Sequence, residues 1–248
     1  MAKPLPMRLK KEPLIEAVFE VRFEASTSLL SNLLLGHFMA KFGNMPVQKL
    51  PTADIPEQLR EHNPVFKYSP LFQLKWNNNL ILIGDRVCAV TSNAPYQGWA
   101  NFKKNILEIT KHLENCGFLK KIERYSLKYV DLIEAETTAK QLELIDLDLK
   151  LGAQQIKKDA VNIRVELPRE SFLHAVQIMT NSILEENGKQ TKMGILLSID
   201  SIANAPSTDF WKSLPDNLEI IHTANKELFF EFLKEKTIDS LEPIYGNE

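Results

Sequence analysis

Cysteine and glycine are both scarce in this chain, and what is missing around them narrows the chemistry. The two cysteines, Cys88 and Cys116, have no CxxC spacing and fall in apolar stretches. Neither a disulfide framework nor a thiolate zinc ribbon can be written from them, so core packing in a reducing compartment is expected. Nine glycines are scattered without a GxGxxG or GxxxxGK run, which removes the usual phosphate-cradling loops. His37, His62, His112, His174 and His222 form no HxH, HxxxH or HExxH arrangement, and no zinc site is expected. A GxSxG nucleophile elbow is also missing. No apolar run approaches the ~18 residues of a membrane span, and MAKPLPMRLKKEPL lacks the apolar core of a secretory leader. A cytoplasmic protein without a membrane partner is the expectation. The formal net charge of −2 gives no global field for nucleic acid or anionic lipid.

What remains is an ordinary globular composition, 44% hydrophobic and 25% charged, able to build a sizeable core. Its organising stretch is Pro95 to Ile133. Trp99, Phe102, Ile106, Ile109, Leu113 and Cys116 recur three or four residues apart and predict an amphipathic helix over 99–116, ended by Gly117. A strand over 122–134 follows, with Tyr125, Leu127 and Tyr129 on one face and Arg124, Ser126 and Lys128 on the other. Its alternation breaks at Val130–Ile133, which implies a bulge or burial of both faces. Upstream, Ile15, Ala17, Phe19, Val21 and Phe23 alternate with Glu16, Val18, Glu20, Arg22 and Glu24. Those acids would complement Arg124 and Lys128 on a neighbouring strand.

A helix over 28–42 carries Leu29, Leu30, Leu33, Leu34, His37 and Phe38 as its stripe. Residues 44–70, with five prolines, predict an irregular excursion with one helical turn near Glu57–His62. A hairpin turns at Asn77-Asn78-Asn79, and a strand runs from Val87 to Thr91. The second half reads as strands at 145–151, 161–167, 172–181 and 193–202, with Asn187-Gly188 as a hairpin turn. The segment 172–181 also fits a helical stripe, though strand is preferred. Near the end, a short helix stops at Pro215, and a capping-box pair, Asp216 and Glu219, starts a longer helix to about Lys236. An extended tail follows at 241–245. The expected class is α+β: mainly antiparallel sheets packed by long amphipathic helices. Two lobes follow, 1–135 (α+β) and 136–248 (a β-meander plus helical end), able to share one sheet.

Three segments, PLIEAVFEVRF at 13–23, YQGWANFKKNI…ERYSLKYVDLI at 96–133 and LEIIHTANKELFFEFL…LEPIY at 218–245, together resemble a sporadically distributed family of uncharacterised bacterial proteins of about 250 residues, a domain of unknown function. The resemblance covers nearly the whole chain. The family's arginine-tyrosine pattern stands here as Arg124 and Lys128-Tyr129, and Asp131 stands where an asparagine is expected. It implies no activity, cofactor or catalytic residue. Patchy distribution implies mobile or defence-associated genes.

The candidate binding residues are Glu16, Glu20, Arg22, Arg124, Lys128, His222 and Asn225. The strand acids read first as a solvated face, with a two-carboxylate metal site (Glu16, Glu20 and Glu24, or Asp146 and Asp148) as the sharper reading. His222 and Asn225 interrupt the apolar stripe of the last helix. A buried amide must find partners, so they serve either helix register or a pocket with Arg124 and Lys128. Lys120, Lys121, Arg124 and Lys128 with Tyr125 and Tyr129 form a short basic-aromatic stretch of the kind single-stranded nucleic acid favours. Tyr68, Trp76 and Tyr96 are candidate contact aromatics. The expectation is a binding or interaction protein rather than an enzyme, with no cofactor. A protein partner fits it best, as a subunit, inhibitor or antitoxin-like component of a defence or mobile-element system. The alternatives are a phosphodiester- or nucleotide-processing enzyme using Glu16 and Glu20 with Arg124 and Lys128, and a nucleic-acid-binding protein.

Overall fold

The computed structural model describes residues 4–186, 189–205 and 209–246. A short strand β1 (Arg8–Leu9) precedes the long β2 (Leu14–Ala25), and helix α1 (Leu30–Phe42) follows. The proline-rich stretch forms β3 (Val47–Lys49), a 3-10 turn (Pro51–Asp54) and two short helices, α2 (Glu57–His62) and α3 (Pro64–Lys67). Strands β4 (Phe72–Trp76), β5 (Asn79–Ile83) and β6 (Val87–Asn93) lead to α4 (Trp99–Glu114) and β7 (Leu119–Glu134). Next come α5 (Thr138–Leu142), a small hairpin of β8 (Lys150–Leu151) and β9 (Gln154–Gln155), and strands β10 (Asn162–Arg169), β11 (Phe172–Glu186) and β12 (Lys189–Asn204). Helices α6 (Phe210–Phe232) and α7 (Glu235–Ser240) then precede β13 (Pro243–Ile244).

Nine of these strands form one antiparallel sheet in the order β10-β11-β12-β7-β2-β6-β5-β4-β3, so the fold is α+β. β2 and β7, the two strands with the clearest alternation, are neighbours in it. The chain packs as two compact units: residues 16–127 with 202–221, and residues 1–15 with 128–201 and 222–248.

In the first unit, register decides which side chains share a face. Val47, Leu74, Ile81, Val90 and Phe19 lie opposite one another across β3, β4, β5, β6 and β2. Leu74, Ile81, Val90 and Phe19 are buried there, and α1 and α4 cover this side. Phe42 packs 5.2 Å from Trp76 and 5.0 Å from His112, joining both helices to the sheet. Trp76 is therefore a core residue, not a contact aromatic. On α1, Leu30, Leu34 and Phe38 are buried, whereas Leu33 and the preceding Leu29 are exposed. β4 and β5 turn through Asn77, whose φ of 52° is the left-handed conformation asparagine tolerates. Gly117 after α4 has φ 74°, the helix stop its position implied.

In the second unit, β10 and β11 pair antiparallel from Asn162 opposite Met179 to Arg169 opposite Phe172, so strand and not helix is the outcome for 172–181. The core joins Val176, Ile178, Ile195, Leu197 and Ile199 of the sheet to Leu228, Phe229 and Phe230 of α6 and to Leu233 just after it. β1 pairs with β13, which ties the arm to the extended tail. Leu127 through Ile133 of β7 is buried on both faces apart from half-buried Lys128, which accounts for the broken alternation. Gly194 of β12 permits a close approach, since a Cβ there would sit 2.1 Å from the carbonyl oxygen of Ile133.

Three expectations are overturned. The strand over 145–151 does not form, because Ile145 bridges to Leu233 and the Asp146 amide donates to Phe232 at 2.8 Å. Its apolar alternation instead lays Leu144 and Leu147 on the α6 core, and Thr138–Leu142 is a helix. Pro215 does not break the last helix. α6 runs through it, with Leu214, Leu218 and Ile221 holding one buried face across the proline. The Asp216–Glu219 pair is consequently helix interior rather than a cap, and Glu219 accepts from the Trp99 indole at 2.8 Å and from Lys103 at 2.5 Å. The Asn187-Gly188 turn lies outside the described residues.

Candidate functional site

The other face of the first unit's sheet follows from the same register. Gln48, Gln73, Leu82, Ala89 and Glu20 make one row across β3, β4, β5, β6 and β2. Lys75, Leu80, Thr91 and Val18 make the row beside it. Their large members are half-buried or exposed: Gln73, Leu80, Leu82, Val18 and Glu20 are intermediate and Lys75 is exposed. The face is a mosaic of aliphatic, amide and charged groups, in contrast to the dry row through Val90 and Phe19.

At the β2 end of this face the charged residues converge. Glu20 and Arg22, two apart on one strand, point the same way by the period of the pleat. Arg22 Nε donates to Glu20 Oε1 at 2.6 Å. Arg124, on the neighbouring β7, reaches the same oxygen from Nη2 at 3.4 Å. The two guanidiniums therefore share one carboxylate oxygen. Side chains of Glu20, Arg22 and Arg124 are 24%, 25% and 28% exposed, so the cluster is neither core nor free surface. The excursion after α3 completes it. Tyr68 lies under the Arg22 guanidinium, 4.5 Å from ring centre to Cζ, and Lys67 stands 5.0 Å from the same ring. The Tyr68 hydroxyl donates to Glu123 Oε2 at 2.8 Å. Arg124 Nε and, on the adjoining row, Thr91 Oγ1 are buried and have no hydrogen-bond partner among the described residues.

Of the sequence candidates, Glu20, Arg22 and Arg124 are thus brought together. Glu16 lies on the same strand, opposite Asn93. Lys128, His222 and Asn225 belong to the second unit. There, His222 Nδ1 shares a 2.9 Å hydrogen bond with the Tyr129 hydroxyl. Asn225 is 1% exposed and donates to the Ile199 carbonyl and to Ser201 Oγ, both at 2.9 Å. His174 Nδ1 lies 2.8 Å from the same Ser201 Oγ, so a buried chain Asn225–Ser201–His174 links α6, β12 and β11. Burial, then nearby Arg169, lowers the His174 pKa and favours the neutral ring. The buried amide thus has the sheet partners that its burial requires.

Missed in the sequence were Tyr68 as the partner of Arg22, Ser201 as a partner of Asn225, and His174 as the further partner of Ser201. Nothing in periodicity pairs residues so far apart; only an isolated buried polar residue in an apolar stripe signals that a partner must exist. Asp131 is buried, and burial, reinforced by the Glu12 carboxylate, pushes its pKa up to about 8. Cys88 is likewise pushed up to about 12 by burial, a thiol with little thiolate character. Among the described residues no grouping of three or more His, Cys, Asp or Glu is placed to hold a metal ion.

A cleft of about 450 Å³ in the second unit is lined by Glu134, Glu136, Lys140, Glu143, Lys236 and Thr237, among others. Its lysines face its acids: Lys140 pairs with Glu136 at 3.0 Å and Lys236 with Glu143 at 3.5 Å. No helix among the described residues is long and apolar enough to cross a membrane. No family model matches the chain, and no curated protein matches it.

Proposed function

We propose that this chain is a binding protein that docks a protein partner on the mosaic face of its first unit, centred on Glu20, Arg22 and Arg124. The observation that carries the reading is the pair of registered rows, half-buried and mixed in polarity, ending at an arginine stacked on a tyrosine. Stacked Arg and Tyr groups are side chains that protein interfaces use as anchors. Aliphatic Val18, Leu80 and Leu82 beside them supply apolar area that a partner can cover. The finer role, a subunit, inhibitor or antitoxin-like component beside a bacterial effector, draws on the family resemblance of 13–23, 96–133 and 218–245.

A second reading, single-stranded nucleic acid on the same face, is favoured by the Arg22–Tyr68 stack and by exposed Lys120 and Lys121 at the start of β7. Affinity purification from the native host followed by mass spectrometry tests both. The expected result is one stoichiometric protein, lost in Leu82→Lys while the far-ultraviolet spectrum and Tm are retained. A co-purifying oligonucleotide with steep salt dependence overturns the protein reading in favour of the second.

A further inference from the structure

The geometry points to a carboxylate-binding subsite between Arg22 and Arg124, which takes an acidic side chain of the protein partner; this rests on the docking reading above. Glu20 is the template for it. A carboxylate oxygen already sits between the two guanidiniums, 2.6 Å from one and 3.4 Å from the other. That second contact is long for a charge-assisted hydrogen bond, which closes to about 2.7–2.9 Å when well made. Arg124 is therefore held near an acceptor without being satisfied by it.

Its Nε, though buried beyond the reach of a ligand, shows the same shortfall in the internal contacts. Buried N–H groups find acceptors in folded proteins, and this one has none among the described residues. Arg22 is oriented by Tyr68 below it and by a single hydrogen bond through Nε, which leaves its two terminal amino groups without a hydrogen bond among the described residues. Two cations and one shared oxygen leave a local positive surplus. The other acid at hand, Glu123, accepts from Tyr68 and so holds the platform. A planar guanidinium presents parallel donors that match a carboxylate. A partner's Asp or Glu would take the terminal amino donors of Arg124 and Arg22, and Glu20 is the internal group it must share them with.

That competition supplies a signature a purely structural ion pair lacks. Amide spectra of the full chain are followed by NMR while a capped triglutamate peptide, and separately inorganic phosphate, is added. The expected result is movement of the Glu20–Arg22 and Arg124 signals with the peptide. In Glu20→Gln the affinity tightens about tenfold, because the internal competitor loses its charge. Arg124→Met abolishes the shifts, and Arg124→Lys, a point charge without the fork, restores them only in part. An unchanged or weakened peptide affinity in Glu20→Gln overturns the subsite and makes the cluster a structural ion pair. Shifts with phosphate but not with the peptide overturn the carboxylate assignment and favour the nucleic-acid reading. Absence of shifts with either probe overturns the subsite while leaving docking on the face to the purification with Leu82→Lys, so the two fail separately.

Discussion

Asp131 shows how much a single buried carboxyl can impose. Its ordinary pKa of 3.8 is raised to about 8 by burial and then by Glu12. In the unfolded chain the proton leaves near pH 4, whereas the folded protein keeps it to about pH 8. Between those limits the folded state binds more protons, so stability falls as pH rises, by about 1.4 kcal/mol per unit for this one group. Above the folded pKa the loss levels off. Asp131→Asn removes the slope. The expected outcome is a variant whose urea midpoint exceeds the parent's increasingly from pH 5 to pH 8, and parallel curves would sink the assignment. The sequence marked position 131 only as part of the Val130–Ile133 stretch where the alternation of β7 breaks. It could not show the charge penalty, which depends on both faces of β7 being covered at that point. Asn225 is the complementary case. Its place in an apolar stripe announced a need for partners, and the partners turned out to be Ile199 and Ser201. Asn225→Leu leaves a buried carbonyl and hydroxyl short of a donor, at a cost of about 1–3 kcal/mol, read as a fall in Tm. A variant as stable as the parent would show that the amide is not a clamp.

Elements with a strong period and a local stop signal were legible. β2 and α4 follow from alternation and from the three-four spacing closed by Gly117, and both sit in the structure where the pattern places them. Even the adjacency of β2 and β7 was readable, because acids on one and bases on the other need each other. Elements decided by a distant competitor were not. The 145–151 segment alternates as well as any strand here, yet its backbone groups bond to the end of α6 and only Lys150–Leu151 pairs as strand. α6 is the opposite failure: a breaker that does not break. Pro215 removes the hydrogen bond to the Trp211 carbonyl, a defect of up to about 3 kcal/mol in a helix interior. Packing of Phe210, Leu214, Leu218 and Ile221 on one face maintains the helix across it. Pro215→Ala restores the donor and is expected to raise stability by about 1–3 kcal/mol, measured by denaturant unfolding. Destabilisation instead would mean that the helix needs the proline's geometry for its packing.

At the scale of the molecule, the boundary between the two units does not fall in a linker. It passes through β2 between Ile15 and Glu16, through β7 between Leu127 and Lys128, through β12 between Ser201 and Ile202, and through α6 between Ile221 and His222. Separately stable domains are joined where few contacts cross and the chain is exposed. Here each crossing lies inside a strand or helix of the continuous chain rather than in an exposed connection. Single domains of this kind unfold in one cooperative step when no part can persist alone. The expected calorimetric scan is one transition, with a van't Hoff enthalpy equal to the calorimetric one, and with tryptophan fluorescence, which reports on Trp76, Trp99 and Trp211 in the first unit, coincident with amide signals from β10 and β11 in the second. Asn225→Leu supplies the sharper version. Its lesion lies in the second unit alone, yet the fluorescence midpoint from the first unit is expected to shift with it by the same amount. If the amide signals of β10 and β11 move and the tryptophan midpoint stays, the two units are thermodynamic domains despite their shared strands.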